Sequence, residues 1–399
     1  METKSFKTRT IYEPRQNGQI QGIFPVAIDI GYSAVKVMSP LCVASVPFFA
    51  KQYVDRGTIG DLPSDHITYK DLETGETWLV GSHAQLDSTY NDAIESDEAL
   101  YGRNRYYSPE YKVCARVGIA LGMMPNRHGQ IGSRKLVIQT GLPPKYAQAD
   151  SRDLRDVLAG SHHFSVKIGS KAPQEFNFEL DSSDINIIMQ PMGTLYSAFK
   201  DSKNKFSHFS QNELNKNILV FDAGFGTFDL FYISNHSVKN SETFSSLGMK
   251  RVFQDTIDKI NKKYGVSFSV TDMQKYLESG TVRTFDRRTY STKDEPFADL
   301  LEESSRTVCN LAIEKMTQIY PIHEIDYLIV TGGTGAAWER EIKEVFKNMA
   351  TLTIISGNQS DTSLSTIFAN VRGYYMYRCS SLESTFGPLS FTEPEKKEA

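Results

Sequence analysis

Cysteine is scarce and scattered in this chain of 399 residues. Only four are present, Cys42, Cys114, Cys309 and Cys379, and their wide spacing argues against a zinc site and against a disulfide framework. A reducing cytoplasm is therefore the expected location. No apolar run approaches the ~20 residues that a membrane-spanning helix needs, and residues 1–21 lack the apolar stretch of an export signal. We therefore expect no membrane partner.

An excess of either charge is also missing. The sequence carries 44 basic and 48 acidic side chains, which gives a formal charge of −4. Such a balance provides no general attraction to nucleic acid, so a connection to DNA would need a local patch or an adaptor. The length exceeds one ordinary hydrophobic core and predicts two or three domains.

One local pattern is present twice, once in residues 26–36 and once in residues 220–230. Each copy has an apolar, β-branched run that ends in Asp-x-Gly, at Asp29 and Gly31 and again at Asp222 and Gly224, followed by small residues. The pattern predicts a strand, a tight turn and a second strand. Such a turn places backbone N–H groups beside a carboxylate. Two facing turns could therefore bind a phosphate chain and its magnesium.

The repeat supplies most of the candidate site residues. Asp29 and Asp222 are candidate catalytic residues and candidate ligands of Mg²⁺ through water, because magnesium prefers oxygen ligands and retains several waters. An isolated Asp before Gly is often only a turn former, and it is the second copy that favours the ligand role. Lys36 could reach the β-phosphate as a point charge. The candidate phosphate-binding turn residues are Gly31, Ser33, Gly224, Gly226 and Thr227.

Two further segments have features of a nucleotide site. The stretch 331–335 is a glycine turn between a predicted strand and a predicted helix, so Gly332, Gly333 and Gly335 could contact an adenosine or an α-phosphate. A plain connection between the two elements is the alternative. Gln190 follows the predicted strand 185–189, where its amide could orient an attacking water. An amide that caps the strand end is the alternative there.

The periodicity of apolar residues predicts an α/β protein in two halves of similar plan, with a ligand between them. Helices are predicted at 110–124, 193–200, 249–264, 295–319, 336–349 and 369–377, and an N-cap is predicted at Thr271. The predicted organisation is an N-terminal extension at 1–23, domain I at 24–200 plus 366–385, domain II at 201–365 with an inserted subdomain at about 251–300, and a disordered tail at 386–399.

The order of these motifs resembles the phosphate, connecting and adenosine motifs of the actin-like ATPase superfamily. Within that superfamily the segments 140–143, 245–248 and 370–374 are most similar to the ParM-type plasmid-segregation actins of bacteria. The resemblance covers about residues 24–377. It implies an actin-like, ribonuclease H-like duplicated two-domain fold with a nucleotide cleft between the domains.

The resemblance also implies a function. ATP, or GTP, would bind with Mg²⁺ in the cleft, with Lys36 on a phosphate and Gln190 positioning water. The protein would assemble with itself into head-to-tail filaments that hydrolysis destabilises. A DNA-binding adaptor of the ParR type would link these filaments to a plasmid centromere. Two features depart from the family: many ParM-type proteins have glutamate near the position of Gln190, and the extension at 1–23 has no assigned role.

A small-molecule kinase of the same superfamily is the alternative function. Such an enzyme needs a carboxylate base beside the acceptor hydroxyl. The cleft-forming motifs offer no clear additional Asp or Glu for this task. The sequence therefore favours the filament-forming ATPase.

Overall fold

The computed structural model describes residues 2–54, 57, 60–87, 103–206 and 211–391. The strands are β1 (Ile11–Pro14), β2 (Ile23–Ile30), β3 (Ala34–Met38), β4 (Cys42–Pro47), β5 (Ala50–Gln52), β6 (Ile67–Asp71), β7 (Thr77–Val80), β8 (Lys135–Leu142), β9 (Gly160–Ile168), β10 (Gln174–Leu180), β11 (Ile185–Met189), β12 (Ile218–Ala223), β13 (Phe228–Ser234), β14 (Ser237–Phe244), β15 (Thr281–Asp286), β16 (Ser291–Pro296), β17 (Tyr327–Thr331) and β18 (Thr353–Ser356).

The helices follow the same chain order. The α-helices are α1 (Ser82–Leu86), α2 (Pro109–Met123), α3 (Ala147–Leu158), α4 (Gln190–Phe199), α5 (Met249–Tyr264), α6 (Val270–Tyr276), α7 (Ala298–Ile319), α8 (Gly333–Val345) and α9 (Ala369–Phe386). Short 3-10 helices are Thr3–Phe6, Arg103–Tyr107, Ser182–Asp184, Gln211–Asn215, Ile322–Glu324 and Thr366–Phe368. In these described parts of the chain, no helix is long and apolar enough to cross a lipid bilayer.

Two central sheets share one plan. The first has the order β1-β4-β3-β2-β8-β11, and the second has the order β14-β13-β12-β17-β18. Both contain a set of three antiparallel strands, β4-β3-β2 in the first sheet and β14-β13-β12 in the second. Two further strands then follow, parallel to β2 in the first sheet and to β12 in the second. The predicted duplication and the two-domain α/β plan are confirmed.

Each sheet packs against its own helices and has its own core. In the first half, Gly118 of α2 lies against β3, where an added Cβ would be 2.6 Å from a methyl group of Val35. In the second half, Val252 of α5 and Met316 of α7 are fully buried beside the sheet. All eight residues of β2 and all six of β12 are buried, which explains their continuous apolar runs.

Both halves carry an inserted unit beyond the shared plan. The first half adds a sheet of order β10-β9-β6-β7-β5, and the second adds α6 and the hairpin β15-β16. The predicted N-cap at Thr271 is wrong. Ser269 is the cap, since its hydroxyl accepts a hydrogen bond from the N–H of Asp272 at 3.1 Å, and Thr271 lies inside α6.

Several helix boundaries differ from the predictions because turn residues also suit a first helical turn. Helix α4 begins at Gln190 rather than 193, with Pro191 in its first turn, where a missing N–H does no harm. Helix α8 begins at Gly333 rather than 336.

The C-terminal tail is partly ordered. Helix α9 continues to Phe386, and Ser390 pairs with Gln19, so the predicted disorder is wrong for the first part of the tail. Residues 392–399 lie outside the described residues.

The N-terminal extension is part of the folded structure. Its strand β1 pairs with β4 along four residue pairs and extends the edge of the first sheet. Among the described strands, the second sheet has no equivalent of β1. The extension therefore breaks the symmetry of the two halves.

Helices α4 and α9 cross at two glycines, with backbone against backbone. An added Cβ on Gly373 of α9 would lie 1.6 Å from the carbonyl oxygen of Gly193 on α4. An added Cβ on Gly193 would lie 2.5 Å from the Tyr374 ring. These distances leave no room for a side chain at either position. The crossing packs the helix that follows β11 against the last described helix.

We expect Gly373→Ala to lower the free energy of unfolding by about 1–3 kcal/mol, because the added methyl group must push two helix backbones apart. Thermal and denaturant unfolding of the purified variant would measure this. Ser384→Ala, on an exposed position of α9, is the control and should stay within about 0.5 kcal/mol of the unmodified protein. Equal stability of Gly373→Ala and the control would contradict the close crossing.

Candidate functional site

The two predicted hairpin turns converge on one cavity of about 390 Å³. Both turns are closed by the same hydrogen bond, from Gly31 N–H to the Ala34 carbonyl at 3.0 Å and from Gly224 N–H to the Thr227 carbonyl at 2.9 Å. These two N–H groups are therefore engaged within the turns. The prediction that these two N–H groups face a ligand does not fit this geometry: Gly31 and Gly224 line the cavity, but their N–H groups close their own turns.

The two turns touch where Gly226 meets Tyr32. An added Cβ on Gly226 would lie 2.5 Å from the Tyr32 ring, so any side chain there would separate the halves at the cavity. Ser33, another predicted site residue, lines the same cavity. The requirement for glycine at position 226 therefore comes from the close approach of the two halves.

The first residues of helix α5 donate hydrogen bonds to the second turn. The carbonyl of Gly224 accepts a hydrogen bond from Met249 N–H at 3.2 Å, and that of Phe225 accepts one from Lys250 N–H at 2.9 Å. In a trans peptide unit the N–H points opposite to the carbonyl. The N–H groups of Phe225 and Gly226 therefore point away from α5, and both residues line the cavity.

Asp29 lies at the centre of a polar cluster in the first half. The pairing of β2 with β3 places Asp29 opposite Lys36, whose Nζ donates to its carboxylate at 3.2 Å. The amide nitrogen of Gln190 lies 3.4 Å from the other carboxylate oxygen. The carboxylate of Asp29 is almost fully buried. The structure thus brings these three predicted site residues together.

Asp222 occupies the matching place in the second half. Its carboxylate accepts a hydrogen bond from Asn370 Nδ2 at 2.7 Å, and the Asn370 side chain accepts one from Thr194 Oγ1 at 2.5 Å. Burial is the main cause that raises the pKa of Asp222 to about 6, and the negative charge of Asp29 adds to the rise. The hydrogen bond from Asn370 and the positive charge of Lys36 both act to lower this pKa. A cation in the cavity would therefore stabilise the ionised form.

The second hairpin has an acid where the first has Lys36. Asp229 lies opposite Asp222 in the β12–β13 register, and burial followed by the charge of Asp222 raises its pKa to about 7. Its carboxylate accepts hydrogen bonds from Thr227 Oγ1 at 2.9 Å and Thr243 Oγ1 at 2.5 Å. The Thr227 hydroxyl, which we expected to face a phosphate, therefore donates to Asp229.

The N-terminus of α8 forms a third wall. Its N-cap, Gly332, has a φ of +81°, and an added Cβ would lie 2.2 Å from the Ala223 carbonyl oxygen. Gly333 and Gly335 lie in the first turn of the helix, and the Thr334 hydroxyl donates to the Gly224 carbonyl at 2.6 Å. The first N–H groups and the dipole of a helix favour a negatively charged ligand.

Some site residues were not identified from the sequence. Arg105 is buried at the cavity, with its guanidinium 4.4 Å from the Tyr32 ring centre, and it donates hydrogen bonds to the carbonyls of Ile30 and Gly31. It thus stabilises the first turn although it belongs to none of the sequence motifs. Asn370 belongs to the segment 370–374 that resembles ParM-type actins, and Asp229 belongs to the second copy of the repeat, but the sequence motifs predict neither as a site residue.

The donor set is suited to a hard cation with few protein ligands. Within the ranges that the structure describes, there is no group of three or more His, Cys, Asp or Glu residues that could hold a metal ion. Asp29 and Asp222 both line the cavity. A magnesium ion held by these carboxylates through water would take its direct ligands mainly from water and from ligand oxygens, as is usual for Mg²⁺.

Comparison with known proteins identifies the fold. Residues 27–193 match the family model described as the N-terminal domain of actin-like proteins. Comparison with curated proteins found no match. Among solved structures, the pCBH ParM non-polymerisable quadruple mutant is 19% identical, with a TM-score of 0.68 over 89% of this chain and 98% of that chain.

Two other solved structures cover almost the whole of both chains. The 15-stranded ParM filament from Clostridium botulinum is 19% identical, with a TM-score of 0.68 over 89% of this chain and 99% of that chain. An archaeal actin homologue in complex with ADP is 15% identical, with a TM-score of 0.59 over 90% of this chain and 100% of that chain. The chain has the actin-like fold, and the resemblance inferred from the motifs is confirmed at that level.

We expect Asp222→Asn to stabilise the ligand-free protein at pH 8, by about 1–3 kcal/mol, and to have little effect at pH 4. The folded-state pKa of Asp222 is raised to about 6, above its ordinary value of 3.8, so its contribution to stability falls as the pH rises from about 4 to above 6. Denaturant unfolding with a chelator present, at pH 4, 6 and 8, would measure the difference. A pH-independent difference would contradict the buried-charge explanation.

Proposed function

We propose that this chain is a polymerising, nucleotide-dependent ATPase that binds Mg²⁺–ATP, or Mg²⁺–GTP, in the cavity between its halves. One observation carries the proposal: two hairpin turns of the duplicated halves bring two buried carboxylates and the N-terminus of α8 to one cavity. Its volume of about 390 Å³ lies in the range of small-molecule sites. The actin-like fold supports nucleotide hydrolysis as the general activity.

The residues present suit a nucleotide and its metal ion. The peptide N–H groups of the second turn and the first turn of α8 would bind phosphate oxygens, and Lys36 would supply a positive charge. Asp29 and Asp222 would hold magnesium through water, and bound Mg²⁺ would reduce the negative charge of the β- and γ-phosphates. The raised pKa of Asp222 supports this arrangement, since a carboxylate buried without a cation is unfavourable.

Gln190 is proposed to orient the attacking water. It lies in the first turn of α4, and its amide nitrogen is 3.4 Å from the Asp29 carboxylate. An amide can hold a water by hydrogen bonds without removing its proton. Hydrolysis of a phosphoryl group depends mainly on such positioning and on charge stabilisation. The chain would thus use Gln190 where many ParM-type proteins have glutamate.

Self-association into head-to-tail filaments is the proposed use of the activity. Structural neighbours include a ParM filament, and hydrolysis would limit filament lifetime. A ParR-type adaptor on a plasmid centromere would connect the filament to DNA. The formal charge of −4 fits indirect rather than direct contact with DNA. The four cysteines are buried, which suits a reducing cytoplasm.

The kinase alternative is not favoured by the site. Among the described residues that line the cavity, the acids are Asp29, Asp222 and Asp229. Asp29 contacts Lys36 and Gln190, Asp222 contacts Asn370, and Asp229 accepts two threonine hydroxyls. None of the three is a spare base for an acceptor hydroxyl.

The decisive experiment follows light scattering and phosphate release together on purified protein with ATP, GTP or a non-hydrolysable analogue, with and without Mg²⁺. We expect scattering to rise with Mg²⁺–nucleotide, to decay as phosphate is released, and to persist with the analogue. Turnover that appears only when a sugar or polyol is added would support the kinase instead. Absence of both nucleotide binding and scattering would overturn the proposal.

Asp222→Ala should lower Mg²⁺-dependent phosphate release by about 100-fold or more, with a smaller loss of nucleotide binding, because its proposed contact is through the metal. Steady-state phosphate release and equilibrium binding of a fluorescent ATP analogue would separate the two effects. Asp258→Ala, at an exposed position on α5, is the matched control and should leave both unchanged. Retained turnover in Asp222→Ala would remove this residue from the site.

Gln190→Ala should slow hydrolysis by about 10- to 100-fold and leave assembly intact, so that filaments last longer. The rate of phosphate release and the decay of scattering after assembly would both be measured. Gln190→Glu keeps an oxygen acceptor of similar reach and should retain more activity than Gln190→Ala. Disassembly of Gln190→Ala at the normal rate would argue against a role in positioning water.

A further inference from the structure

The extension that the sequence left without a role crosses from one half of the molecule to the other. Residues 3–9, which we call the N-terminal strap, contact the second half through hydrogen bonds of Thr3 and Thr8 and through charged contacts of Lys7 and Arg9. The Thr3 hydroxyl donates to the Leu277 carbonyl at 2.8 Å, and Thr8 N–H donates to Gln274 Oε1 at 2.9 Å. Phe6 of the strap is buried with the core of the second half.

Charged contacts add to this attachment. Lys7 and Arg9 both reach one carboxylate oxygen of Glu278, at 3.1 Å and 2.9 Å. Glu278 follows α6 in the inserted unit of the second half, and about half of its side chain is exposed. Exposed ion pairs contribute little individually, so this part of the attachment can break and re-form.

The chain after the strap is bound to the first half. Ile11 begins β1 and pairs with Ser45 of β4, and Arg15 N–H donates to the Leu41 carbonyl at 2.9 Å. The attachment of β1 is a four-pair backbone ladder, whereas the strap is attached mainly by side chains. If the two halves separate, we expect the side-chain attachment to break first.

The connection between the two attachments is short. Thr8 is attached to the second half and Ile11 to the first, three residues further along the chain. An extended chain spans at most ~3.6 Å per residue, so these points can separate by only about 11 Å. Wider opening of the halves at this edge requires the strap to detach from Gln274 and Glu278.

The strap also forms part of the nucleotide cavity. Residues 4–9 line the cavity together with both hairpin turns and the N-terminus of α8. A molecule held by the turns would therefore be enclosed on one side by the strap. The same segment thus limits the separation of the two halves and covers the proposed ligand.

We propose that the N-terminal strap closes one side of the nucleotide site and that its detachment from the second half controls the rate of nucleotide release. This inference rests on the proposed nucleotide binding. The strap would be a positioning element, because its contacts act through the opening of the halves. It would add a kinetic control to the site without changing the residues that bind phosphate.

The test measures release of a fluorescent ATP analogue by stopped flow, with excess unlabelled ATP as the chase. The double variant Gln274→Ala, Glu278→Gln removes a hydrogen bond and the ion pairs of the strap, and we expect about three- to tenfold faster release. Asp294→Asn is the matched control: it removes an exposed ion pair with Arg283 in the same inserted unit, away from the strap. Its release rate should be unchanged.

Hydrogen exchange provides a second readout that does not depend on turnover. Peptides covering residues 3–9 should exchange faster in the double variant, and binding of the ATP analogue should slow their exchange in the unmodified protein. Equal release rates for the unmodified protein and the double variant would overturn the strap proposal, as would exchange of residues 3–9 that is insensitive to the analogue. If the unmodified protein fails to bind nucleotide, the proposed function itself fails.

Discussion

Buried negative charge is the constraint on which the rest of the site depends. Asp29, Asp222 and Asp229 all lie in the interior at the junction of the two halves, and Lys36 is the cation that contacts one of them. The remaining partners are neutral, chiefly Asn370 and threonine hydroxyls. Burial without a charged partner raises the pKa of two of these acids. These three acids thus concentrate unfavourable negative charge at the junction of the halves, and a bound cation would offset it.

Much of the fold was predictable because its information is local. A continuous apolar run followed by Asp-x-Gly predicts a buried strand and a tight turn, and both copies have this structure. Helix starts were less predictable, since Gly333 and Pro191 suit a turn as well as a first helical turn. The place of the N-terminal extension was not predictable, because Thr3 and Thr8 contact residues more than 260 positions away in the sequence.

The same distinction applies to the candidate site. Asp29, Lys36, Asp222 and the glycines belong to short motifs, and the structure brings them to one cavity. Arg105 belongs to no motif, and its hydrogen bonds to the carbonyls of Ile30 and Gly31 join segments that are 75 and 74 positions apart in the sequence. The hydrogen bonds of the turns were also not predictable from residue type. The N–H group of a glycine can donate to a ligand or to a carbonyl of its own turn. The backbone conformation of the turn, which residue type does not specify, determines which of the two bonds forms.

The crossing of α4 and α9 fixes two helix backbones against each other. If one half rotated against the other about this close contact of two backbones, the crossing itself would move least. Displacement grows with distance from a centre of rotation. Asn370, one helical turn from Gly373, would hardly move and would keep its contact with Asp222. The inserted units, further from the crossing, would travel further, so a change too small to disturb the contacts of Asp222 could alter the surfaces presented to neighbouring molecules.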